Sequence, residues 1–290
     1  MKISIIIPVY NMVDFIEDTL LSIINQKRKC ELIVVDGGSV DGTLEVLKKY
    51  DAYIDVLISE IDGGQYNAVN KGMRIATGDI LAWINADDLY YDWTFDIVVQ
   101  FFKDFPHFEW ISGVSTTINA EGGMNGLMRS AIVKNRRFIR NGWYTEDIYG
   151  FLQQEGMFWR RSLMEKSGLL DEAYGLAADF DLWTRFACNA DIVSVAIPLA
   201  RFRIRNSSRS RALANQYMGE VEKINDTKPK FPTLIKSLMS RSLAVKMIIR
   251  KLSITSGYVY YYSASRKKWI LRRKMASANH HPISSLITFR

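Results

Sequence analysis

The stretch ISIIIPV at Ile3–Val9 is a short, β-branched run, and a helix-patterned segment, Phe15–Gln26, separates it from a second run, ELIVVD at Glu31–Asp36. Runs that are apolar at successive positions are typical of strands covered on both faces of a parallel sheet. The same alternation continues with strands predicted at Ile54–Ser59 and Asp79–Asn85 and helices at Thr43–Tyr50 and Gln65–Ala76. This pattern predicts an α/β fold with a doubly wound, mostly parallel sheet.

The composition indicates a folded cytoplasmic protein. The chain has 290 residues, of which 48% are hydrophobic and 24% charged. Cys30 and Cys188 lie far apart and form no CxxC pair, which predicts buried thiols in a reducing compartment rather than a disulfide framework or a zinc site. The uncharged stretch Leu252–Ser265 is shorter than the roughly 18 to 20 apolar residues that a spanning helix needs, so no transmembrane segment is predicted.

Charge divides the chain into two unequal parts. Residues 1–200 carry 18 Lys or Arg against 28 Asp or Glu, whereas residues 201–290 carry 20 against 3. We predict a catalytic domain at residues 1–211 and a basic, mainly helical C-terminal extension at residues 212–290. A basic extension on an acidic body favours a polyanionic surface as partner, and a solvated helical appendage is the alternative.

Polar residues stand where three of the predicted strands end. The first strand ends in Pro8-Val9-Tyr10-Asn11, the second in Asp36-Gly37-Gly38-Ser39 and the fourth in Asn85-Ala86-Asp87-Asp88. Ligands of open α/β sheets bind outside the carboxyl ends of the strands, so these segments are predicted to form one site.

Each acidic segment suggests a binding role. A carboxylate at Asp36 can accept a hydrogen bond from the ring N–H of uracil or thymine, while Asp41 is interpreted as a helix cap. Asp87 and Asp88 follow a strand that is predicted to be buried, where paired like charges need a cation or hydrogen bonds to compensate them. Hard oxygen ligands suit Mg²⁺ or Mn²⁺ shared with a substrate diphosphate, and an acidic helix N-terminus is the alternative.

Together these segments resemble glycosyltransferase family 2, in order and at the spacing of the family. The resemblance begins at Ser4–Asn11, includes Asp36 and extends through Asp62–Gly72 (DGGQYNAVNKG), Ala76–Asp79 (ATGD) and Asn85–Asp88 (NADD). It continues through Gly156–Arg161, Gly168–Glu172 and Ala178–Trp183 and fades after about residue 211. It therefore covers most of the chain.

The resemblance implies a GT-A fold and inverting transfer from an activated sugar, usually a UDP-sugar, with Mg²⁺ or Mn²⁺. By position, the residues that would face the nucleotide are Pro8, Tyr10, Asp36, Asp62, Asn70 and Asp87. Asp87 would also anchor the metal, with Asp88 in support. The first residue of that metal motif is commonly Asp in the family and is Asn85 here, which weakens this position as a ligand.

The resemblance also places the catalytic base in the segment Ala178-Asp179-Phe180-Asp181. Asp179 falls on the base position, and Asp181 is interpreted as structural, or as the base if the register is shifted. A carboxylate that removes the proton of an acceptor hydroxyl contributes typically about 10²–10⁴-fold to the rate. The cationic run Arg201–Arg211 follows; we predict a loop that closes over the diphosphate with Arg203 or Arg209, the alternative being an edge strand and a solvated turn.

Other functions are less compatible with the sequence. No GxGxxG follows the first strand and no GxxxxGK[ST] occurs, which argues against nicotinamide dehydrogenases and P-loop nucleotidases. A sugar-nucleotide nucleotidyltransferase and a binding protein that has lost its chemistry remain as alternatives. No nucleic-acid partner is predicted, because the body lacks a matching cationic face or motif.

The acceptor is predicted to be a saccharide or a lipid-linked saccharide, contacted by the aromatic-rich segment Trp143–Trp159. In the extension, Ser237–Leu252 and Lys267–Met275 interleave cations with apolar residues. Helices of that composition can lie on an anionic membrane surface, and a helical hairpin packed on the acidic body is the alternative.

Overall fold

The computed structural model describes residues 1–127, 133–145, 148–205, 213–226, 228 and 255–276. The strands are β1 (Ile3–Val9), β2 (Glu31–Asp36), β3 (Val56–Ser59), β4 (Ile80–Trp83), β5 (Leu89–Tyr90), β6 (Trp110–Ile118), β7 (Met124–Leu127), β8 (Met157–Arg160), β9 (Ile192–Arg203), β10 (Thr255–Ser263) and β11 (Lys268–Ala276). The α-helices are α1 (Ile16–Ile24), α2 (Thr43–Lys49), α3 (Gln65–Ile75), α4 (Thr94–Asp104), α5 (Arg136–Arg140), α6 (Arg161–Ser167), α7 (Ala178–Asn189) and α8 (Ala214–Asn225).

One sheet organises the described residues, with the strand order β11-β10-β9-β6-β8-β4-β1-β2-β3. Strands β3, β2, β1 and β4 are parallel to one another, and β8 lies antiparallel between β4 and β6. Strand β9 then pairs parallel with β6, so β4, β6 and β9 run in one direction. This architecture confirms the predicted α/β fold with a mostly parallel central sheet.

The first half follows the sequence pattern closely. Strands β1 and β2 have the predicted bounds, and every residue of both is buried. Helix α3 approaches β1 closely, because a Cβ at Gly72 would lie 2.5 Å from Ile6 Cγ2. A glycine at this point allows α3 to lie flat on the sheet, with its N-terminus at the carboxyl ends of the parallel strands.

Four buried tryptophans pack α7 against the central sheet. Trp83 of β4 stacks on Trp183 of α7 with ring centroids 5.4 Å apart, and Trp159 of β8 meets both rings edge-on. Trp110 of β6 stacks on the other side of Trp183. Aromatic pairs of this kind add to the apolar area that they bury. They hold α7 against the sheet, and its N-terminus lies at the same edge as that of α3.

The prediction of a mainly helical C-terminal extension is wrong for residues 255–276. Strands β10 and β11 form an antiparallel hairpin, and β10 pairs parallel with β9. The apolar residues follow a period of two rather than a helical period: Trp269 and Leu271 pack against the core while Lys268 and Arg272 are exposed. Residues 214–225 are helical as predicted, and the segment Ser237–Leu252 lies outside the described residues.

Candidate active site

The first turn of α3 connects two of the predicted motifs. Gln65 Nε2 donates a hydrogen bond of 2.7 Å to Asn85 Oδ1 in the acidic turn after β4. The next residue, Tyr66, places its hydroxyl 3.4 Å from Oδ1 of Asp179 while donating to the carbonyl of Leu176. The acidic turn and the predicted base therefore lie on either side of one helix N-terminus.

Asp62, just before α3, contacts the loop that follows β2. A Cβ at Gly37 would lie 3.2 Å from Asp62 Oδ1, so the two loops are in contact. Oδ1 accepts a hydrogen bond of 2.7 Å from the backbone of Gly64, whereas the buried Oδ2 has no partner among the described residues. A buried acceptor without a partner is costly, which makes Asp62 Oδ2 a candidate ligand atom.

Asp36 does not present an open carboxylate. It is fully buried at the end of β2, and its oxygens accept hydrogen bonds from the amide and hydroxyl of Ser39 and from the hydroxyl of Ser59. The carboxylate holds the Gly37–Ser39 loop in place. In this structure it is therefore Asp62, rather than Asp36, that offers an unoccupied acceptor.

The end of β1 supplies an aromatic ring. Tyr10 is 58% exposed, so its ring is available for stacking, whereas Pro8 is buried within the strand. The next residue, Asn11, has a φ of 51°, in the left-handed region, and its side chain accepts a hydrogen bond from Val40 N. Pro8 and Asn11 thus contribute to the structure at the carboxyl end of β1, and the side chain of Tyr10 is exposed to solvent there.

Asn70 is fully engaged inside the protein. Its side chain exchanges hydrogen bonds with the backbone of Leu170, at 2.9 and 3.0 Å, and donates to Glu172 at 2.7 Å. The residue is 1% exposed. This placement ties α3 to the segment after α6 and contradicts the prediction that Asn70 faces the nucleotide.

The second acidic residue of the turn is structural. Asp88 is fully buried, and its carboxylate accepts hydrogen bonds from Arg203 N at 2.9 Å and from Asn85 Nδ2 at 3.3 Å. Burial, and then the charges of Asp87 and Glu155, raise the pKa of Asp88 well above its ordinary value. Asp88 supports the turn and is poorly placed as a second metal ligand.

Arg203 lies at the end of a strand and not in the loop that was predicted to close over the diphosphate. It is the last residue of β9 and 1% exposed, with its Nε donating to the carbonyl of Asp87 at 2.8 Å. Its two terminal nitrogens donate to the carbonyl of Ala120 and to the carboxylate of Asp18. Arg203 therefore fixes the acidic turn from behind; Arg209 lies outside the described residues.

Arg205, two residues on, pairs with the carboxylate of Asp87. Its Nε and Nη2 each lie 2.7 Å from Asp87 Oδ2. Asp87 is 8% exposed and Arg205 also stacks its guanidinium on Phe15, 4.8 Å from the ring centre. A guanidinium on the predicted metal anchor supplies a positive charge where a diphosphate would bind.

The residues of this turn fit a divalent cation in part. Asp87 offers a hard carboxylate oxygen at the sheet edge, whereas Asp88 is occupied by Arg203 and Asn85. The residues that the structure describes contain no group of three His, Cys, Asp or Glu that could hold a metal. A cation at Asp87 would therefore need the phosphate oxygens of a substrate as further ligands, as Mg²⁺ sites on nucleotides commonly do.

Asp179 occupies the second position of α7. Oδ1 accepts a hydrogen bond of 2.8 Å from Phe180 N and lies near the Tyr66 hydroxyl. Loss of surrounding water raises the pKa of Asp179 to about 6, although these two hydrogen bonds lower it. A carboxylate with a pKa near 6 is suited to accept a proton at neutral pH.

The neighbouring carboxylate, Asp181, is tied up elsewhere. It forms an ion pair of 2.8 Å with Arg185, whose guanidinium also donates to the carbonyls of Ser167 and Leu169. The side chain thus joins α7 to the end of α6, which agrees with a structural role.

Glu220 holds the loop that leads to Asp179. Its carboxylate accepts three backbone hydrogen bonds, from Gly175 at 3.2 Å, Leu176 at 2.9 Å and Ala177 at 2.8 Å. Glu220 belongs to α8, beyond the predicted boundary at residue 211. The helix after that boundary therefore takes part in positioning the candidate base.

Two buried polar residues directly precede β8. Gln154 and Glu155 are 9% and 1% exposed, and neither side chain has a hydrogen-bond partner among the described residues. Burial, followed by the charges of Asp179 and Asp87, raises the pKa of Glu155 to about 8, while Lys134 opposes this shift. Burial also lowers the pKa of Lys134 to about 8.

The sequence analysis missed four of these residues. Arg205 belongs to the cationic run Arg201–Arg211, but it lies just beyond β9, and the sequence does not show which arginine of the run meets Asp87. Glu155 is a charged residue directly before the buried run of β8, which is an unusual place for an unpaired charge. Glu220 and Lys134 carry no signal, because their partners are distant in sequence.

Comparison with known proteins identifies the family. The model of glycosyl transferase family 2 matches residues 4–166, which is more than half of the chain. The protein is therefore a glycosyltransferase, and it belongs to glycosyl transferase family 2. An uncharacterized glycosyltransferase from Haemophilus influenzae is 24% identical over 99% of this chain and 90% of its own length.

Solved structures confirm the GT-A fold. S. aureus TarS 1-349 in complex with UDP-GlcNAc superposes with a TM-score of 0.61 at 18% identity, over 87% of this chain and 74% of that one. The mannosyltransferase PcManGT from Pyrobaculum calidifontis, in complex with GDP-Man and Mn²⁺, has a TM-score of 0.58 at 20% identity, over 87% of this chain and 75% of its own. No helix among the described residues is both long and apolar enough to span a bilayer.

Proposed function

We propose that this glycosyltransferase moves a sugar from a UDP-sugar to a hydroxyl group of a saccharide or lipid-linked saccharide, with inversion at the transferred carbon. The observation that carries the proposal is the N-terminus of α3. There Gln65 contacts the acidic turn through Asn85, and Tyr66 contacts Asp179. A donor that spans this edge would place its diphosphate and its transferred carbon beside groups of suitable chemistry.

The nucleotide would bind between the ends of β1 and β2. Asp62 Oδ2, buried and without a partner among the described residues, would accept the ring N–H of uracil, and Tyr10 would stack on the base. Asp36 would keep the loop at Gly37 in position rather than touch the base. TarS in complex with UDP-GlcNAc supports a uridine donor, and PcManGT with GDP-Man makes a guanosine donor the alternative.

The chemical step would use Asp179 as general base. The acceptor oxygen attacks the anomeric carbon, the bond from that carbon to the diphosphate oxygen breaks, and the nucleoside diphosphate leaves with the bonding electrons. Asp179 takes the hydroxyl proton as the new bond forms, which contributes typically about 10²–10⁴-fold. Attack on the face opposite the leaving group inverts the configuration.

The leaving diphosphate would be stabilised at the acidic turn. Asp87 would hold Mn²⁺ or Mg²⁺ together with phosphate oxygens, and such a cation stabilises the negative charge that develops on the leaving group. Arg205, which pairs with Asp87 in the structure, would pair with a phosphate oxygen instead once the donor is bound. The Mn²⁺ in the PcManGT complex supports this assignment.

The acceptor could be reached at a membrane surface. Lys268, Arg272 and Arg273 of the hairpin are exposed, and cations near an anionic surface contribute about 1 kcal/mol each. We expect salt-sensitive co-sedimentation with anionic liposomes and none with neutral ones. Equal binding to both kinds, or to neither, would contradict the membrane part of the proposal.

A donor panel tests the proposed activity. Purified protein is incubated with UDP-, GDP-, dTDP- and CMP-sugars, with and without Mn²⁺, and released nucleotide is measured. We expect turnover with at least one UDP-sugar that requires the metal. Affinity without turnover would favour a binding protein, and release of pyrophosphate from a sugar phosphate and nucleoside triphosphate would favour a nucleotidyltransferase.

A further inference from the structure

The short 3-10 helix Gln154–Gly156 lies at the edge where the site is built. It directly precedes β8, which runs antiparallel to β4 with Leu81 opposite Trp159. Because β8 is antiparallel to β4, the amino-terminal end of β8 lies towards the carboxyl end of β4, where the acidic turn begins. A Cβ at Gly156 would lie 3.6 Å from the amide nitrogen of Gly113 on β6. The helix therefore lies among the central strands.

Its two polar side chains are buried without partners. Both amide atoms of Gln154 and both carboxylate oxygens of Glu155 lack hydrogen bonds among the described residues. A buried donor or acceptor that is left unpaired destabilises the folded protein, and a charged group does so more strongly. Such a cost within a site indicates groups that bind something when the site is filled.

Lys134 adds donors of the opposite charge. The side chain is 2% exposed, and among the described residues its Nζ makes one long contact of 3.4 Å, with the carbonyl of Gly113. Lys134 and Glu155 influence one another electrostatically but are not within ion-pair distance. The three side chains thus offer donors and acceptors that do not satisfy one another.

The chemistry of this group favours a polyhydroxyl ligand. A phosphate offers mainly acceptor oxygens and would leave the acceptor atoms of Gln154 and Glu155 without donors, and an apolar group would leave every polar atom unpaired. Sugar hydroxyls both donate and accept, so a carboxyl, an amide and an amino group can bind neighbouring hydroxyl groups. The charges of Asp179 and Asp87 both act on Glu155, so this residue is near the base and the diphosphate anchor.

We propose that Gln154, Glu155 and Lys134 form the subsite that binds the hydroxyl groups of the transferred sugar and selects the donor. This inference rests on the proposed function. Because a site built to bond a hydroxyl rejects an analogue that lacks it, these residues discriminate between sugars more strongly than an apolar pocket could.

The test compares UDP with UDP-glucose and UDP-N-acetylglucosamine in binding calorimetry on wild type and Glu155→Gln. In Glu155→Gln we expect UDP affinity to stay within about twofold of wild type. The ratio of the affinity for the preferred sugar nucleotide to the affinity for UDP should fall by about tenfold. Glu109→Gln is the matched control, since Glu109 precedes β6, at the amino ends of the parallel strands and away from the acidic turn, and pairs with Lys166. It should behave as wild type.

Deoxy analogues of the preferred donor first test the subsite on wild type alone and then on the variants. On wild type, one deoxy position should weaken binding by about tenfold, and in Glu155→Gln or Lys134→Met the same position should have little effect. A variant that keeps full discrimination overturns the subsite, even if its thermal stability changes. If wild type binds UDP but turns over no sugar nucleotide, the proposed function itself fails. If transfer occurs and Glu155→Gln still discriminates between the donor and its deoxy analogue as wild type does, only this inference is refuted.

Discussion

The hydroxyl of Tyr66 lies 3.4 Å from Oδ1 of Asp179 and donates to the carbonyl of Leu176, so α3 and the start of α7 are joined beside the candidate base. The hydroxyl also lowers the pKa of Asp179, against the larger effect of burial, which raises it. Two consequences follow for catalysis, one for the pH profile of the enzyme and one for variants of this contact.

The rate of transfer should depend on a group with a pKa near 6. Asp179 acts as a base only when deprotonated, and its pKa is about 6, so kcat/KM should rise with pH up to this value and then level off. Initial rates between pH 4.5 and 8.5 measure this. A flat profile across pH 6 would contradict the assignment.

Tyr66→Phe should raise the midpoint of that profile. Removing the hydroxyl takes away a hydrogen bond that stabilises the Asp179 carboxylate, so the pKa of Asp179 increases and the rate at neutral pH falls. Tyr53→Phe, at an exposed ring, is the matched control and should leave the midpoint unchanged. A midpoint that does not move, or that moves down, argues against contact between Tyr66 and the base.

Glu220→Gln should shift the midpoint in the opposite direction. Its charge contributes to the raised pKa of Asp179, so neutralising it lowers that pKa. The amide also cannot accept all three bonds from Gly175–Ala177, and we expect turnover to fall by about five- to tenfold with UDP affinity retained. Glu222→Gln, exposed on the same helix, is the control; matching profiles for the two variants would refute a positioning role for Glu220.

Asp87→Asn should abolish metal-dependent turnover while the protein stays folded. The change keeps the shape of the side chain and removes the charge that would hold Mn²⁺ or Mg²⁺. Turnover as a function of Mn²⁺ concentration is the measurement, with the exposed Asp92→Asn as control. Near-wild-type turnover of Asp87→Asn in saturating Mn²⁺ would exclude Asp87 as the anchor.

The sequence predicted those parts of the fold in which local pattern and tertiary packing agree. Ile3–Val9 and Glu31–Asp36 are apolar at successive positions, and both are buried strands in the structure. The hairpin β10–β11 was missed because alternate aromatic and basic residues were interpreted as an amphipathic helix. Pairing with β9 decides its structure, and that partner is distant in the chain.

In the site, too, the sequence locates some residues and leaves the contacts of others undetermined. Asp87 and Asp179 stand at element ends, which a motif can locate. The sequence does not reveal which of two arginines points inward: Arg203 is buried under the acidic turn, whereas Arg205 meets the carboxylate of Asp87. Nor does it show that the Asp36 carboxylate is occupied by Ser39 and Ser59, since those hydrogen bonds form only in the folded loops.

The most direct test of the central claim, glycosyl transfer with Asp179 as base, is a paired measurement of turnover and UDP affinity in Asp179→Asn. We predict that turnover falls by about 10²-fold or more and that UDP affinity is unchanged, because a general base acts in the transition state and not in nucleotide binding. The variant should also be at least as stable as wild type at pH 8, since a carboxylate with a raised pKa destabilises the fold when it is charged. Asp191→Asn, exposed just beyond the other end of α7, should match wild type in both measurements. Turnover of Asp179→Asn near that of wild type, or equal losses of turnover and UDP affinity, would contradict the claim.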